Sequence, residues 1–293
     1  MHTSRRSALK TLAASALTTS VMDSFAHTEP TGHLAPLALK GRIRQSVCYW
    51  CYRHIPFEQF CKDVKGIGLE AVDLTGPAQW PILKKYGLTC SLAEGAGKGI
   101  DQGFNDPKLH DELVASYEAF FPKLKAAGLT NVICFSGNRR GMADEEGMEN
   151  CVKGLKRLMS SAEKHGVTMI MELLNSKVNH KDYMCDHSGW GAEMCKRVGS
   201  DNIKLLYDIY HMQIMEGDII RNIRDHSKYI GHFHTGGNPG RNELDETQEI
   251  YYPAVMKAIV DTGYKGYVGQ EFIPKVEANA IQSLRKCVEI CDV

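Results

Sequence analysis

Four residues at the ends of short apolar runs carry the chemistry this chain could perform: Glu172, Asp208, His234 and Glu271. Glu172 stands in Thr-Met-Ile-Met-Glu-Leu-Leu-Asn and Asp208 in Lys-Leu-Leu-Tyr-Asp-Ile-Tyr-His. His234 stands in Gly-His-Phe-His-Thr-Gly and Glu271 in Gly-Gln-Glu-Phe. A carboxylate inside an apolar run needs a reason, because charged side chains are rarely buried without a partner. Three carboxylates brought together would repel and take up protons unless a cation offset them. Three oxygen donors and one imidazole suit one Mn2+, Co2+ or Mg2+ ion better than a thiolate-rich site does, with Zn2+ also compatible. Taken singly, a strand-end Glu is as often the partner of a Lys, and a lone His is more often a satisfied core residue. Four at matched places on successive runs favour a shared metal. His232, two residues inward of His234, reads as a core or supporting residue.

Cations stand nearby. Arg139 and Arg140 follow the fourth apolar run, Lys177 the fifth, and Arg241 the seventh in Asn-Pro-Gly-Arg-Asn-Glu. For the first three, a solvated surface position is the better reading of the spacing. Arg241 has the stronger case, because the Pro-Gly turn can fold it back over the metal. A guanidinium there would hold a carboxylate or polarise a substrate oxygen.

Elements that could bring these residues to one place are legible as alternating strand-like and helix-like segments. The strand candidates are 43–51, 70–74, 89–93, 131–136, 168–174, 203–209, 229–234 and 267–272. Helical patterns lie between them at 57–67, 106–127, 145–165, 191–198, 218–226, 252–261 and 278–291. Several helices run into glycine just before the next strand, as at Ala127-Gly128, His165-Gly166 and Thr262-Gly263, the helix stop expected of an αβ connection. Strand–helix alternation predicts a parallel sheet, and about 250 residues in eight units is the size of a single-domain α/β (β/α)₈ TIM barrel. An open doubly wound sheet would carry Gly-x-Gly-x-x-Gly after its first strand. Here Tyr52-Arg53-His54-Ile55-Pro56 follows it, and the later Gly95-Ala96-Gly97-Lys98-Gly99 lacks phosphate-loop spacing. A barrel places its active site at the carboxyl ends of its strands, where the four residues stand.

Lys plus Arg and Asp plus Glu both total 35, so no global charge recruits nucleic acid or an anionic membrane. Residues 1–26 differ from the rest: Ser4-Arg5-Arg6-Ser7-Ala8-Leu9-Lys10, an apolar stretch from Thr11 to Val21, then Ser24-Phe25-Ala26. That order reads as a twin-arginine export signal, too short to span a bilayer, with a linker over 27–42 and the barrel over 43–293. The expected location is periplasmic or exported, or cytoplasmic if the signal is unused. No membrane contact is expected after signal removal, and homo-oligomers are compatible with the chain. The ten cysteines fall mostly in apolar runs, where free Cys acts as a small hydrophobe, and a chain this long needs no disulfide staples. Their pairing stays open.

The segment from about Ile43 onward resembles the xylose-isomerase-like barrels of sugar isomerases and epimerases, and within them the hydroxypyruvate isomerase group. The resemblance is carried by Met171-Glu172-Leu173-Leu174-Asn175, Asp208-Ile209-Tyr210-His211, Gly231-His232-Phe233-His234, Pro239-Gly240-Arg241-Asn242-Glu243 and Gly269-Gln270-Glu271-Phe272. It implies that Glu172 and Glu271 both bind the metal and move protons, while Asp208 and His234 are ligands only. It implies substrate contacts from His211 and Arg241, with Asn175 and Lys177 as further candidates. Two departures stand out. Hydroxypyruvate isomerases usually carry Gln at the place of His234, which is the residue of ketose epimerases, and Glu-Leu-Leu-Asn replaces the family's Glu-Pro-x-Asn.

The implied reaction is a proton shift beside a carbonyl, through an enediolate, on a small keto acid or sugar. Hydroxypyruvate going to tartronate semialdehyde is the leading case. The alternatives are a ketose 3-epimerase, a metal-dependent lyase acting on an oxidised sugar, and a non-catalytic sugar-binding barrel. A DNA-repair endonuclease of this fold would need further His and Asp ligands.

Overall fold

The computed structural model describes residues 36–293; the expected export signal lies outside the described residues. Eight parallel strands form one sheet: β1 (Arg44–Cys48), β2 (Ala71–Asp73), β3 (Thr89–Cys90), β4 (Asn131–Cys134), β5 (Thr168–Glu172), β6 (Ile203–Asp208), β7 (Ile230–Thr235) and β8 (Tyr267–Gln270). Their order is β3-β2-β1-β8-β7-β6-β5-β4. The ring closes through one residue. Ala93, just past β3, donates its N–H to the Asn131 carbonyl at 2.9 Å and accepts from the Ile133 N–H at 3.1 Å. The sheet is thus the expected (β/α)₈ barrel.

Helices α1 (Phe57–Ile67), α2 (Trp80–Lys85), α3 (His110–Ala127), α4 (Asp144–His165), α5 (Ser188–Val198), α6 (Ile209–Met215), α7 (Ile219–His226), α8 (Tyr252–Asp261) and α9 (Ala280–Cys291) connect the strands. In α1, Phe60, Cys61, Val64 and Ile67 are buried, at the spacing that puts them on one face. Helices α3 and α4 stop at Gly128 and Gly166, whose φ angles of 71° and 66° a β-carbon would strain. Among the described residues no helix is long and apolar enough to cross a membrane. All ten cysteines are unpaired and buried.

All the strands but β7 end sooner than the sequence suggests, and for two of them the local reason is plain. The run from Ile43 stops pairing at Cys48, where β1 reaches the end of β2, and Tyr49–Tyr52 turns into a short 3₁₀ helix over the barrel mouth. The run from Ile203 stops at Asp208, because that residue becomes the N-cap of α6. Inside the barrel, Leu92, Ile133, Ile170 and Leu206 form a separate buried apolar cluster from neighbouring strands. Interior side chains of such barrels stack in layers of this kind.

Candidate metal centre

Glu172, Asp208, His234 and Glu271 converge. Each offers one ligand atom, these atoms lie within 4.8 Å of one another, and all four residues are buried. Strand register brings this about: Glu172 pairs with Leu206, Asp208 with His234, and His234 with Gly269, so the strand ends are level. Glu271 follows the last residue of β8, and its N–H donates to the Thr235 carbonyl at 3.1 Å.

Asp208 divides its two oxygens. Oδ1 accepts the His211 backbone N–H at 3.1 Å, capping α6, while Oδ2 faces the other ligands. An N-capping carboxylate is held by its own helix, which costs the site no flexible side chain. The same helix start carries His211, fully buried, into the cluster. Asn175 orients it: Asn175 Oδ1 accepts the backbone N–H of Val178 and Asn179 at 3.0 and 2.9 Å, so its Nδ2 faces His211 Nδ1 at 2.5 Å. With Nδ1 accepting, the His211 proton stands on Nε2. That nitrogen has no hydrogen-bond partner among the described residues, and lies 3.6 Å from Asp208 Oδ2.

Arg241 folds back as the sequence suggests. Its Nη2 lies 3.1 Å from Asp208 Oδ2 and 2.6 Å from Glu271 Oε2. The rings of Trp50 and Tyr210 flank its guanidinium at 5.3 and 5.4 Å, within cation–π range. Trp50 also donates Nε1–H to Glu271 Oε1 at 2.7 Å.

These contacts split the carboxylates electrostatically. Burial, reinforced by the negative charge of Glu271, pushes Glu172 up to about 8. Burial also raises Asp208, to about 6, with Glu271 adding to the rise and Arg241 opposing it. Burial acts on Glu271 too, but His234 and Arg241 outweigh it and hold that carboxyl well below its usual range. A pair of acids driven apart in this way is the pattern of acid–base sites.

The residues fit a divalent cation. His234 Nδ1 stands 2.8 Å from Glu271 Oε2, yet makes no hydrogen bond of normal geometry. Three carboxylates and one imidazole, with no thiolate among the four, form an oxygen-rich donor set suited to Mn2+, Co2+ or Mg2+.

Other expected residues go elsewhere. Lys177 is exposed, and its Nζ caps the end of α6 through the Ile214 and Met215 carbonyls at 3.2 and 2.8 Å. Arg140 is exposed and donates to the Asp101 carbonyl at 2.6 Å. Arg139 corrects the expectation of a solvated charge. Its guanidinium is part-buried and grips Asp186 at 2.9 and 3.1 Å, while also donating to the Tyr183 and Met184 carbonyls. Asp186 further accepts from Ser176 Oγ at 2.5 Å and meets His187 Nδ1 at 2.8 Å. Burial opposes its ionisation, but His187, Arg139 and Ser176 prevail and hold it at about 2. The His187 hydrogen bond to Asp186 raises the imidazole above its ordinary value against a smaller burial effect.

A pH signature follows. Asp186 is depressed, so its contribution is present above about pH 4 and fades as the pH falls toward 2. His187 is raised, so its contribution is full below about pH 6.5 and fades as the pH climbs through its folded value. Asp186→Asn should cost about 1–3 kcal/mol between these limits. Denaturant titrations of both proteins across pH should show the gap narrowing at each end.

Sequence reasoning missed Trp50, His180 and Asp73. Trp50 was absorbed into an overlong strand. His180, whose ring centroid lies 5.2 Å from that of His211, sits in a loop without a pattern. Asp73, fully buried, ends β2 in Ala-Val-Asp-Leu, and the burial of a lone acid in that run was the available signal.

A family profile described as "Xylose isomerase-like TIM barrel" matches residues 81–290. The human protein named "Putative hydroxypyruvate isomerase" is 34% identical over 106 residues, covering 36% of this chain and 38% of its own. The Escherichia coli protein named "Hydroxypyruvate isomerase" is 30% identical over 160 residues, covering 53% of this chain and 60% of its own. The matched stretch therefore spans less than two thirds of either relative. The crystal structure titled as an AP endonuclease, family 2, from Brucella melitensis superposes with a TM-score of 0.72. It is 22% identical and covers 80% of this chain and 96% of its own, a likeness of fold alone.

Proposed function

We infer, because this chain belongs to the xylose isomerase-like TIM barrel family, that it is a metal-dependent isomerase of the hydroxypyruvate isomerase type. The substrate in this reading is hydroxypyruvate or a related small keto acid or sugar. One observation carries it: two buried glutamates of opposite electrostatic bias, Glu172 on β5 and Glu271 past β8, share one cluster with Asp208 and His234. A binding module has no use for two such groups; a proton shift next to a carbonyl needs them.

A divalent ion held by the four residues would polarise the substrate carbonyl and offset the three carboxylates. The chain's own residues do the rest. One glutamate takes a proton from the hydroxyl-bearing carbon beside the carbonyl, the same or the opposite glutamate returns it to the former carbonyl carbon, and the hydroxyl proton passes to the former carbonyl oxygen. Glu172 and Glu271 both face the space the ion would fill, so either is placed to take or return the proton. His211 directs its Nε2–H at a substrate oxygen, and Arg241, clamped between Trp50 and Tyr210, holds positive charge beside the reacting atoms. A substrate bearing a carboxylate is matched by that charge.

A second reading is favoured by His234 itself. Imidazole at this strand end resembles the ketose epimerases, where the proton returns to the opposite face of the same carbon. The Mn2+-loaded protein, offered hydroxypyruvate and a set of ketoses in D2O, separates the two. Deuterium in tartronate semialdehyde supports the isomerase, and deuterium at C3 of an epimerised ketose supports the epimerase. No carbon-bound exchange on any of them would sink both.

A further inference from the structure

His234 stands between two acids. Its Nδ1 faces the metal-ligand cluster, and its Nε2 lies 3.1 Å from Oδ2 of Asp73, across the barrel on β2. The Asp73 carboxylate collects four donors. Oδ2 meets Ser46 Oγ at 3.0 Å, His232 Nε2 at 2.7 Å and His234 Nε2, while Oδ1 takes Ser91 Oγ. An ionised carboxylate can only accept, so the contact requires a proton on His234 Nε2. An imidazole protonated there has only Nδ1 left for an ion. Cys48 Sγ, 3.5 Å from the same Nε2, is a weak acceptor that does not compete with a carboxylate.

An independent feature shows that the barrel makes room for this pair. Gly269 in β8 pairs with His234. A β-carbon on Gly269 would stand 2.3 Å from Asp73 Oδ2 and 2.8 Å from His234 Cδ2, distances no real side chain tolerates. Its backbone is not in the left-handed region, so the demand at this glycine is for space and not for conformation.

We propose that Asp73 is the positioning residue of the centre, holding the proton on His234 Nε2 and thereby presenting Nδ1 to the metal. The proposal rests on the four residues being metal ligands. Carboxylates behind a ligating histidine typically contribute about 10–100-fold in metal affinity. His232 bonds the same Oδ2 and its ring meets that of His234 edge-on at 5.1 Å, but no hydrogen bond joins the two, so its loss should disturb Nδ1 of His234 less than the loss of Asp73.

The test uses the whole chain. Mn2+ titrations followed by electron paramagnetic resonance should show affinity falling about 10–100-fold in Asp73→Asn. Gly269→Ala should lower it as well, with a much smaller change in His232→Gln. With Zn2+ bound, nitrogen-15 spectra of the wild type should show the His234 proton on Nε2 and the ion on Nδ1; that readout needs no variant to fold. Equal losses in Asp73→Asn and His232→Gln would overturn the proposal in favour of a merely structural cluster. Zinc on Nε2 would overturn it outright. A second Mn2+ equivalent lost in Asp73→Asn, with the first unchanged, would make the cluster a metal site instead. If Asp208→Asn also leaves Mn2+ binding unaltered, the four-ligand reading itself fails.

Discussion

Glu172→Gln, and likewise Glu271→Gln, should lower turnover by about 10²-fold or more, well beyond any loss of metal occupancy. Glutamine keeps the shape and one oxygen donor but cannot take a proton. Each residue is buried within the same cluster, so a small neutral replacement disturbs packing little. Asp208→Asn should behave differently. Asparagine caps helices about as well as aspartate, so its oxygen should keep the His211 N–H and α6 intact. Its amide nitrogen would then face the ion, where it is a poor ligand. The loss should appear as weaker metal affinity, and excess Mn2+ should restore part of the activity. Steady-state rates at increasing Mn2+, with occupancy measured on the same samples, distinguish the cases. Full activity in both glutamine variants at full occupancy would remove the glutamates as bases.

Leu206→Ala should cost about 2–5 kcal/mol of stability, the range for deleting a fully buried leucine. Leu206 is inaccessible and packs inside the barrel with Leu92, Ile133 and Ile170. Ile170 and Leu206 stand on β5 and β6, which are hydrogen-bonded along their length, and that limits how far they can close over the void. The cavity term should therefore survive relaxation and place the cost toward the upper part of that range. Thermal and urea unfolding, compared with the wild type at matched metal concentration, give the value. A shift no larger than that of an exposed substitution would mean that the interior layer is looser than its burial implies.

The fold was legible because apolar period and helix stops act locally. Helices α1 and α8 fall on the residues the pattern indicates, and Gly128 and Gly166 end α3 and α4 as expected. The ligand set was legible for a related reason: an acid within an apolar strand is conspicuous in one dimension. What escaped depends on contacts between distant segments. Asp73 sits 159 residues from His232, and its role appears only when β2 and β7 face each other across the barrel. Trp50 looked like strand because nothing local marks where β1 runs out of partners. Arg139 and Lys177 were simply cations near a mouth, and only the folded loops show which carbonyls and carboxylates they satisfy. Helix α6 was hidden because Asp208 serves both as strand end and as helix cap.

The closure at Ala93 gives the barrel a weakest link, and its position has a mechanical consequence. Between β3 and β4 the ring is held by two backbone hydrogen bonds, those of Ala93 with Asn131 and Ile133, and by the Asn131 side chain on the Ser91 carbonyl at 3.1 Å. Strands β5, β6, β7 and β8 form an unbroken arc that does not include this gap. The four ligand-bearing segments ride on that arc. A disturbance of the clasp would therefore fall outside the strands that hold Glu172, Asp208, His234 and Glu271 together.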